Sequence, residues 1–286
     1  MTVGVTTHNE QYNIQGLLDR LSHLDEEHVQ IILYDDASTD GTASSIALHP
    51  LSRQRNFEAH LADANFGSPS VGRQFIADRA KGPYVTFVDG DDLIDPKALA
   101  AAARRLVPGF DIIVTPFVNG RQRYFPEQID PERPVSPNTI TRLLSGIGGK
   151  IYNRDALLGN LQDEIKGRSE DVRLNMRILL AGFDRVLFQD TDPFYLITSS
   201  RKSMQSRNIL LPEIADRIRN YRILKDRYGL DDTYLKALHR NLLTVARDDT
   251  TLSEHQRKEL CTAINLVMPF RLRTIIHLVH DISTIG

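Results

Sequence analysis

Cysteine is nearly absent from this 286-residue chain: Cys261 stands alone, so no intrachain disulfide can form and no cysteine-rich metal site exists. The first ten residues, MTVGVTTHNE, have neither the basic start nor the apolar stretch of a signal peptide. No apolar run approaches the ~18 residues that a membrane helix needs. These absences predict a soluble, cytoplasmic chain. An excess of either charge is missing too. The 35 Lys/Arg and 37 Asp/Glu leave a net charge of -2, which argues against nucleic acid held by bulk positive charge. Internal repeats and low-complexity tracts are also absent.

What remains is ordinary globular material, 41% hydrophobic and 25% charged, long enough for one large core or for a core with a smaller appended unit. Its charge is uneven. Residues 201–286 carry 15 Lys/Arg against 10 Asp/Glu, while the first 200 carry 20 against 27. An acidic body with a basic tail is compatible with an anionic surface, although solvated helix faces account for the same pattern.

Along the first hundred residues, strand-like runs alternate with helical spacing. Strands are predicted at Thr2–Thr7, Val29–Tyr34, Phe57–Ala64 and Tyr84–Val88. Helices are predicted at Tyr12–Leu24, Thr42–Leu48 with Asp40 as N-cap, Ser70–Ala80, and Pro96–Leu106 with proline in the first turn. Repeated βα units imply an α/β fold whose mainly parallel sheet is covered on both faces, with ligands at the carboxyl ends of its strands. Residues 107–200 are less regular. Pro126, Pro131, Pro134 and Pro137 mark loops, Gly149–Asn153 reads as a strand and Ser169–Ala181 as a helix. From Leu211 onward the pattern is helical, with breaks near Gly229, Asp248 and Pro269.

Four clusters could carry chemistry, and the three that suit a nucleotide stand where such a sheet binds ligands. Asp89-Gly90-Asp91-Asp92 follows the fourth strand. Its carboxylates repel one another unless a cation offsets them, and Mg²⁺ or Mn²⁺ held with diphosphate oxygens would do so. Glycine between the acids lets backbone approach a ligand closely. A plain acidic turn before a helix explains the same residues. Asp35-Asp36 ends the second strand, where a carboxylate can accept a uracil imide or a sugar hydroxyl, or simply form an Asx turn. Arg73, in Gly72-Arg73-Gln74 at a predicted helix start, suits nucleotide phosphates as well as solvent. Glu170-Asp171 enters an amphipathic helix, a position equally natural for an N-cap.

Taken in order, these segments resemble the family 2 glycosyltransferases, inverting enzymes of the GT-A fold. Val3 to Asn9 is similar to the opening strand and base-covering loop. Tyr34-Asp35-Asp36-Ala37-Ser38-Thr39-Asp40-Gly41-Thr42 is similar to "DDGSTDGT". Asn65-Phe66-Gly67 with Gly72-Arg73-Gln74 is similar to "N-x-G…A-R-N", and Asp89-Gly90-Asp91-Asp92 with Pro96 to "L-D-x-D-D…P". Lys150 to Arg154 resembles "K-x-Y-x-R", and Glu170-Asp171 the "E-D" motif. The resemblance spans roughly residues 2–205. It implies a domain over 1–205, with a nucleotide-binding half at 1–106 and an acceptor half at 107–205, followed by a helical extension over 206–286.

The resemblance also implies roles. Thr6, His8 and Asp36 line the base with Arg73 nearby, Asp89 and Gly90 complete the nucleotide-sugar site, Asp91 binds Mn²⁺ or Mg²⁺, and Asp171 is the general base. The implied donor is a UDP-sugar and the implied acceptor a surface polysaccharide or its lipid-linked precursor. His8 departs from the usual Tyr or Phe, and Gln74 from Asn. Ala37 in place of glycine implies a turn that avoids left-handed geometry. Two other readings remain open: a nucleotidyltransferase, which would need a Gly- and Lys/Arg-rich loop that Thr6-Thr7-His8-Asn9-Glu10 does not supply, and a non-catalytic binding subunit. An apolar stripe over Pro269–Ile282 fits peripheral membrane contact, packing on the body, or a dimer with a second copy.

Overall fold

The computed structural model describes residues 1–125, 137–144, 146–161, 170–198, 211–232, 234–236, 238–239, 243 and 253–267. The chain divides into two compact units, Met1–Arg207 and Asn208–Gly286.

In the first unit, β1 (Thr2–Thr7), β2 (Gln30–Asp35), β3 (Phe57–Leu61) and β4 (Tyr84–Asp89) alternate with α1 (Ile14–Leu21), α2 (Thr42–Leu48), α3 (Pro69–Arg79) and, after the short β5 (Leu93–Ile94), α4 (Pro96–Arg104). All six residues of β1 are buried. Val3 and Val5 join the cluster that α1 enters with Ile14, Leu17, Leu18 and Leu21. Burial of each such side chain contributes roughly 2 kcal/mol. On the opposite face a Cβ at Gly4 would lie 2.6 Å from Ile76 of α3. Both faces of the sheet are therefore covered, which is why its strands read as continuous apolar runs.

The rest of the unit comprises β6 (Ile112–Val114), β7 (Phe117–Asn119), β8 (Gln122–Tyr124), α5 (Pro137–Leu144), β9 (Lys150–Asn153), α6 (Arg154–Leu157), α7 (Glu170–Leu180), β10 (Val186–Phe188) and β11 (Tyr195–Ile197). The seven-stranded sheet runs β10-β6-β9-β4-β1-β2-β3. It is parallel except for β9, which runs antiparallel to both β4 and β6. A second sheet, β5-β11-β7-β8, stands beside it. Pro137 begins α5 and does not mark a loop, since proline suits the first helical turn. Pro126, Pro131 and Pro134 lie outside the described residues.

Helix α7 ends in a Schellman turn. Gly182 at φ +90 donates to the Leu179 carbonyl, and the Phe183 amide donates to Ile178 at 3.1 Å. In the second unit α8 (Leu211–Tyr228) ends the same way, with the Leu230 amide donating to Lys225 at 3.1 Å. Tyr221 of α8 stacks on Tyr234 at 4.5 Å and donates to the Asp231 carbonyl. A further helix, α9 (Glu254–Val267), follows. Among the described residues no helix is long and apolar enough to cross a membrane. The stripe at Pro269–Ile282 lies outside them.

Candidate functional site

The register of three neighbouring strands gathers the acidic clusters. Thr6 pairs with Tyr34 on one side and Asp89 on the other, and Thr7 pairs with Asp35. Past the strand ends, the Asp36 amide donates to the Thr7 carbonyl and the Gly90 amide to the Thr6 carbonyl, each at 2.9 Å. Gly90 has a second constraint: a Cβ there would lie 2.4 Å from Thr7 Oγ1. The close approach that this glycine permits is between two strand ends of the chain itself.

On the β2 side, the Asp36 carboxylate accepts the amides of Phe66 and Gly67 at 2.9 and 3.0 Å. His8 Nδ1 lies 2.8 Å from the Asp36 carbonyl, and Asn65 Nδ2 lies 2.9 Å from His8 Nε2. The tautomer protonated on Nδ1 satisfies both contacts. His8 is thus oriented by its neighbours while its ring stays partly exposed. One expectation is corrected here. Ala37 does adopt left-handed geometry, at φ +54, because the buried Asp35 carboxylate takes the Ser38 amide at 3.0 Å and its hydroxyl as well. These bonds from Asp35 to Ser38 close the loop across Ala37 and hold its backbone there. Asp40 lies one residue before the N-cap Gly41, yet still accepts the first helical amide, that of Thr42, at 2.9 Å.

Arg73 is not at a helix start. Ser68 caps α3 and Pro69 opens it, so Arg73 falls in its second turn on the buried face, 2% exposed. Its guanidinium donates to Asp89 at 3.0 Å and to Glu170 at 3.4 Å, and lies 5.9 Å from the Phe87 ring. Residues 97 positions apart in the chain are joined by one side chain. Glu170 is 7% exposed. Burial, and then the neighbouring charge of Asp171, push its carboxyl up to about 8 against the pull of Arg73. Asp171 beside it is partly exposed and accepts the Val172 amide at 2.7 Å.

Strand β9 explains the "K-x-Y-x-R" spacing. The buried Lys150 donates to the Gly146 carbonyl, and burial followed by the charge of Arg142 hold its ammonium well below the usual lysine range, while Asp171 acts in the opposite sense. Tyr152 donates to Asn175 Oδ1 at 2.9 Å, and Arg154 caps α3 through the carbonyls of Ala77 and Asp78.

The acidic turn after β4 is divided in its tasks. Asp92 faces inward, where Tyr195 donates to it at 2.7 Å and the Thr198 amide at 2.9 Å. Burial pushes its carboxyl up to about 7. Asp89 and Asp91 are partly exposed, and Glu10 feels the charge of Asp91 and Asp40 after its own burial. Among the described residues no three His, Cys, Asp or Glu side chains converge as a closed cage. One or two carboxylates are what Mg²⁺ or Mn²⁺ needs when substrate phosphates complete the shell, so the donor set fits such an ion. Asp92, Tyr195, Lys150 and Glu170 were not singled out as separate functional positions by sequence reasoning. Their signal lies in long-range pairing, which local pattern does not carry.

The chain is similar to several known proteins in sequence and fold. A poly(ribitol-phosphate) β-N-acetylglucosaminyltransferase, TarS of Staphylococcus aureus, is 28% identical over 223 residues, 74% of this chain and 38% of that protein. The chain therefore spans less than half of that relative's length. A teichuronic acid biosynthesis glycosyltransferase described as putative, TuaG of Bacillus subtilis, is 34% identical over 85 residues, 28% of this chain and 33% of its own length. Among solved structures, TarS 1-349 with UDP-GlcNAc superposes with a TM-score of 0.71 at 20% identity, over 96% of this chain and 83% of that one. A mannosyltransferase of Pyrobaculum calidifontis with GDP-Man and Mn²⁺ superposes at 0.56 and 19% identity, over 96% and 81%. The fold is thus that of GT-A glycosyltransferases. Residues 2–160 match the model described as Glycosyl transferase family 2, and with more than half of its length so matched the chain belongs to that family.

Proposed function

We propose that this chain is an inverting glycosyltransferase that moves a sugar from a nucleotide-diphosphate donor, a UDP-sugar, to a hydroxyl of a surface polysaccharide or its lipid-linked precursor. The observation that carries this reading is the Arg73 bridge, which brings the Glu170-Asp171 end of α7 to the strand end bearing Asp89. A carboxylate suited to deprotonate an acceptor is thereby adjacent to the acids suited to a donor.

In this reading Thr6, His8 and Asp36 receive the base, and Asp89 with the Gly90 turn receives the ribose and sugar side. Asp91 would hold the divalent cation, which when bound supplies Lewis-acid neutralisation for the diphosphate. Asp171 takes the proton of the acceptor hydroxyl as that oxygen bonds to the anomeric carbon. The bond from that carbon to the diphosphate oxygen breaks on the opposite face, its electron pair leaving with the diphosphate. The transition state is oxocarbenium-like, as in glycoside hydrolysis, and a positioned base contributes about 10²–10⁴-fold.

Release of UDP or GDP from UDP-GlcNAc, UDP-glucose and GDP-mannose, with Mn²⁺ and with wall or lipid-linked glycan acceptors, tests the reading. Nucleoside diphosphate released together with a glycosylated acceptor supports it. Pyrophosphate released instead from a nucleoside triphosphate and a sugar phosphate would replace it with nucleotidyl transfer.

A further inference from the structure

The β7-β8 hairpin turns through Gly120-Arg121, with Gly120 at φ +61, a conformation that tight antiparallel turns demand. Its register pairs Phe117 with Tyr124 and Asn119 with Gln122. Residues two apart on a strand share a face, and so do residues directly opposite. One face of the hairpin therefore carries Phe117, Asn119, Gln122 and Tyr124, while Arg123 and Phe125 turn to the other.

The chain covers one of these faces and leaves the other open. Phe125 lies 6.4 Å from the Phe188 ring of β10, and Arg123 pairs with Asp190 and donates to the Thr191 carbonyl at 3.3 Å. On the opposite face Tyr124 stacks on Phe117 at 5.0 Å, with the two rings 10° from parallel. The Arg142 guanidinium lies 4.5 Å from the Phe117 ring, and the Tyr124 hydroxyl donates to Gln122 at 2.8 Å. Tyr124 nonetheless stays 36% exposed, with the exposed amides of Asn119 and Gln122 on the same face.

This face continues the candidate site outward. Phe117 pairs with Tyr195, which donates to Asp92 at 2.7 Å. A Cβ on Gly149 would lie 3.3 Å from Phe117, and a Cβ on Gly146 3.4 Å from the Asp171 carboxylate. Three residues of chain separate those glycines by no more than about 10 Å. Tyr124 lies one strand farther out than Phe117, beyond the unit whose hydroxyl Asp171 would deprotonate.

We propose that Tyr124, with Asn119 and Gln122 on the same face, is an acceptor subsite: its ring stacks on a pyranose ring of the acceptor chain, at a unit beyond the one that receives the sugar. This inference rests on the reading of the chain as a glycosyltransferase with Asp171 as its base. The C–H bonds on one face of a pyranose suit the electron-rich face of an aromatic ring. Amide side chains can both donate to and accept from its hydroxyls. Tyrosine offers this contact area at a low cost in side-chain freedom.

The chain has no tryptophan, so Tyr124→Trp puts a single reporter into the full-length protein. Wall-glycan fragments, as single units and as chains of several units, are titrated against that variant. The same fragments serve as acceptors for the wild type, Tyr124→Ala, Tyr124→Phe and Asn119→Ala. Long fragments should change the emission of Tyr124→Trp and single units should not. In Tyr124→Ala the KM for long fragments should rise about tenfold. Its kcat, its donor KM and its KM for single units should stay within about twofold of the wild type. Tyr124→Phe keeps the ring and should remain within about threefold on long fragments. Asn119→Ala should raise that KM about threefold, the scale of one hydrogen bond. Equal losses on long and short acceptors in Tyr124→Ala, or a fall in kcat alone, would overturn the proposal, since the stack would then only support the hairpin. So would a lighter assembly in sedimentation with every KM unchanged, which would assign this face to contact between copies of the chain. A wild type that glycosylates no fragment of any length removes the functional reading and this inference with it. Wild-type transfer with the same KM for long and short fragments removes only the subsite.

Discussion

The Ser38 amide donates to the Asp35 carboxylate at 3.0 Å, and the turn closed by that bond carries Ala37 at φ +54. A left-handed alanine costs about 1–2 kcal/mol, because its Cβ crowds the following carbonyl. The turn lies between the strand end and the Asn9 side chain, whose Oδ1 accepts the Thr39 amide at 2.8 Å. Strain there is held by bonds on both sides.

Ala37→Gly should therefore stabilise the chain. Glycine removes the strain and gives back part of the gain as entropy of the unfolded state, leaving about 0.5–1 kcal/mol. For a unit of this size the melting temperature should rise by roughly 1–4 °C. A lower melting temperature would mean that the alanine methyl contributes packing that outweighs the strain.

Glu170 makes stability depend on pH in a stated direction. Its carboxyl titrates near 8 in the folded chain, against an ordinary value of 4.5. The folded state keeps the proton longer than the unfolded one, so this group lowers stability progressively as pH rises from about 4.5 to about 8. Glu170→Gln removes the titration. In thermal melts with EDTA, the melting temperature of Glu170→Gln minus that of the wild type should grow between about pH 5 and pH 8. A constant difference would show that Arg73 keeps Glu170 ionised throughout.

The cation reading makes its own demand on Asp91. In Asp91→Asn, UDP affinity measured with Mn²⁺ should drop by about tenfold or more, toward the value of the wild type in EDTA. Affinity in EDTA should be the same for both. An undiminished response to Mn²⁺ in the variant would assign the ion to another residue.

Much of the fold was legible because period and length agree in its first hundred residues. Apolar runs at Thr2–Thr7 and Tyr84–Asp89 are too short for buried helices, and Leu17, Leu18 and Leu21 recur at helical spacing. Strand direction was not legible in the same way. A short strand such as Lys150–Asn153 looks alike in either orientation, so the antiparallel β9 emerges only from its pairing. The second sheet contains strands as short as Leu93–Ile94, too short to have a period. The Asp89 turn and the Glu170-Asp171 helix start could be picked out as acidic clusters. Their connection through Arg73 could not, because a buried arginine inside α3 reads locally like any helical arginine. Ala37 is left-handed although it is not glycine, because the bonds from Asp35 to Ser38 hold the loop around it, and those side-chain bonds do not show in the residue type at 37.

The role of Asp171 is tested most directly by Asp171→Asn, with nucleotide binding and transfer measured on the same preparation. UDP affinity in the presence of Mn²⁺ should stay within about threefold of the wild type, while sugar transfer falls by about 10²–10⁴-fold. Transfer at the wild-type rate, with binding intact, would contradict the account.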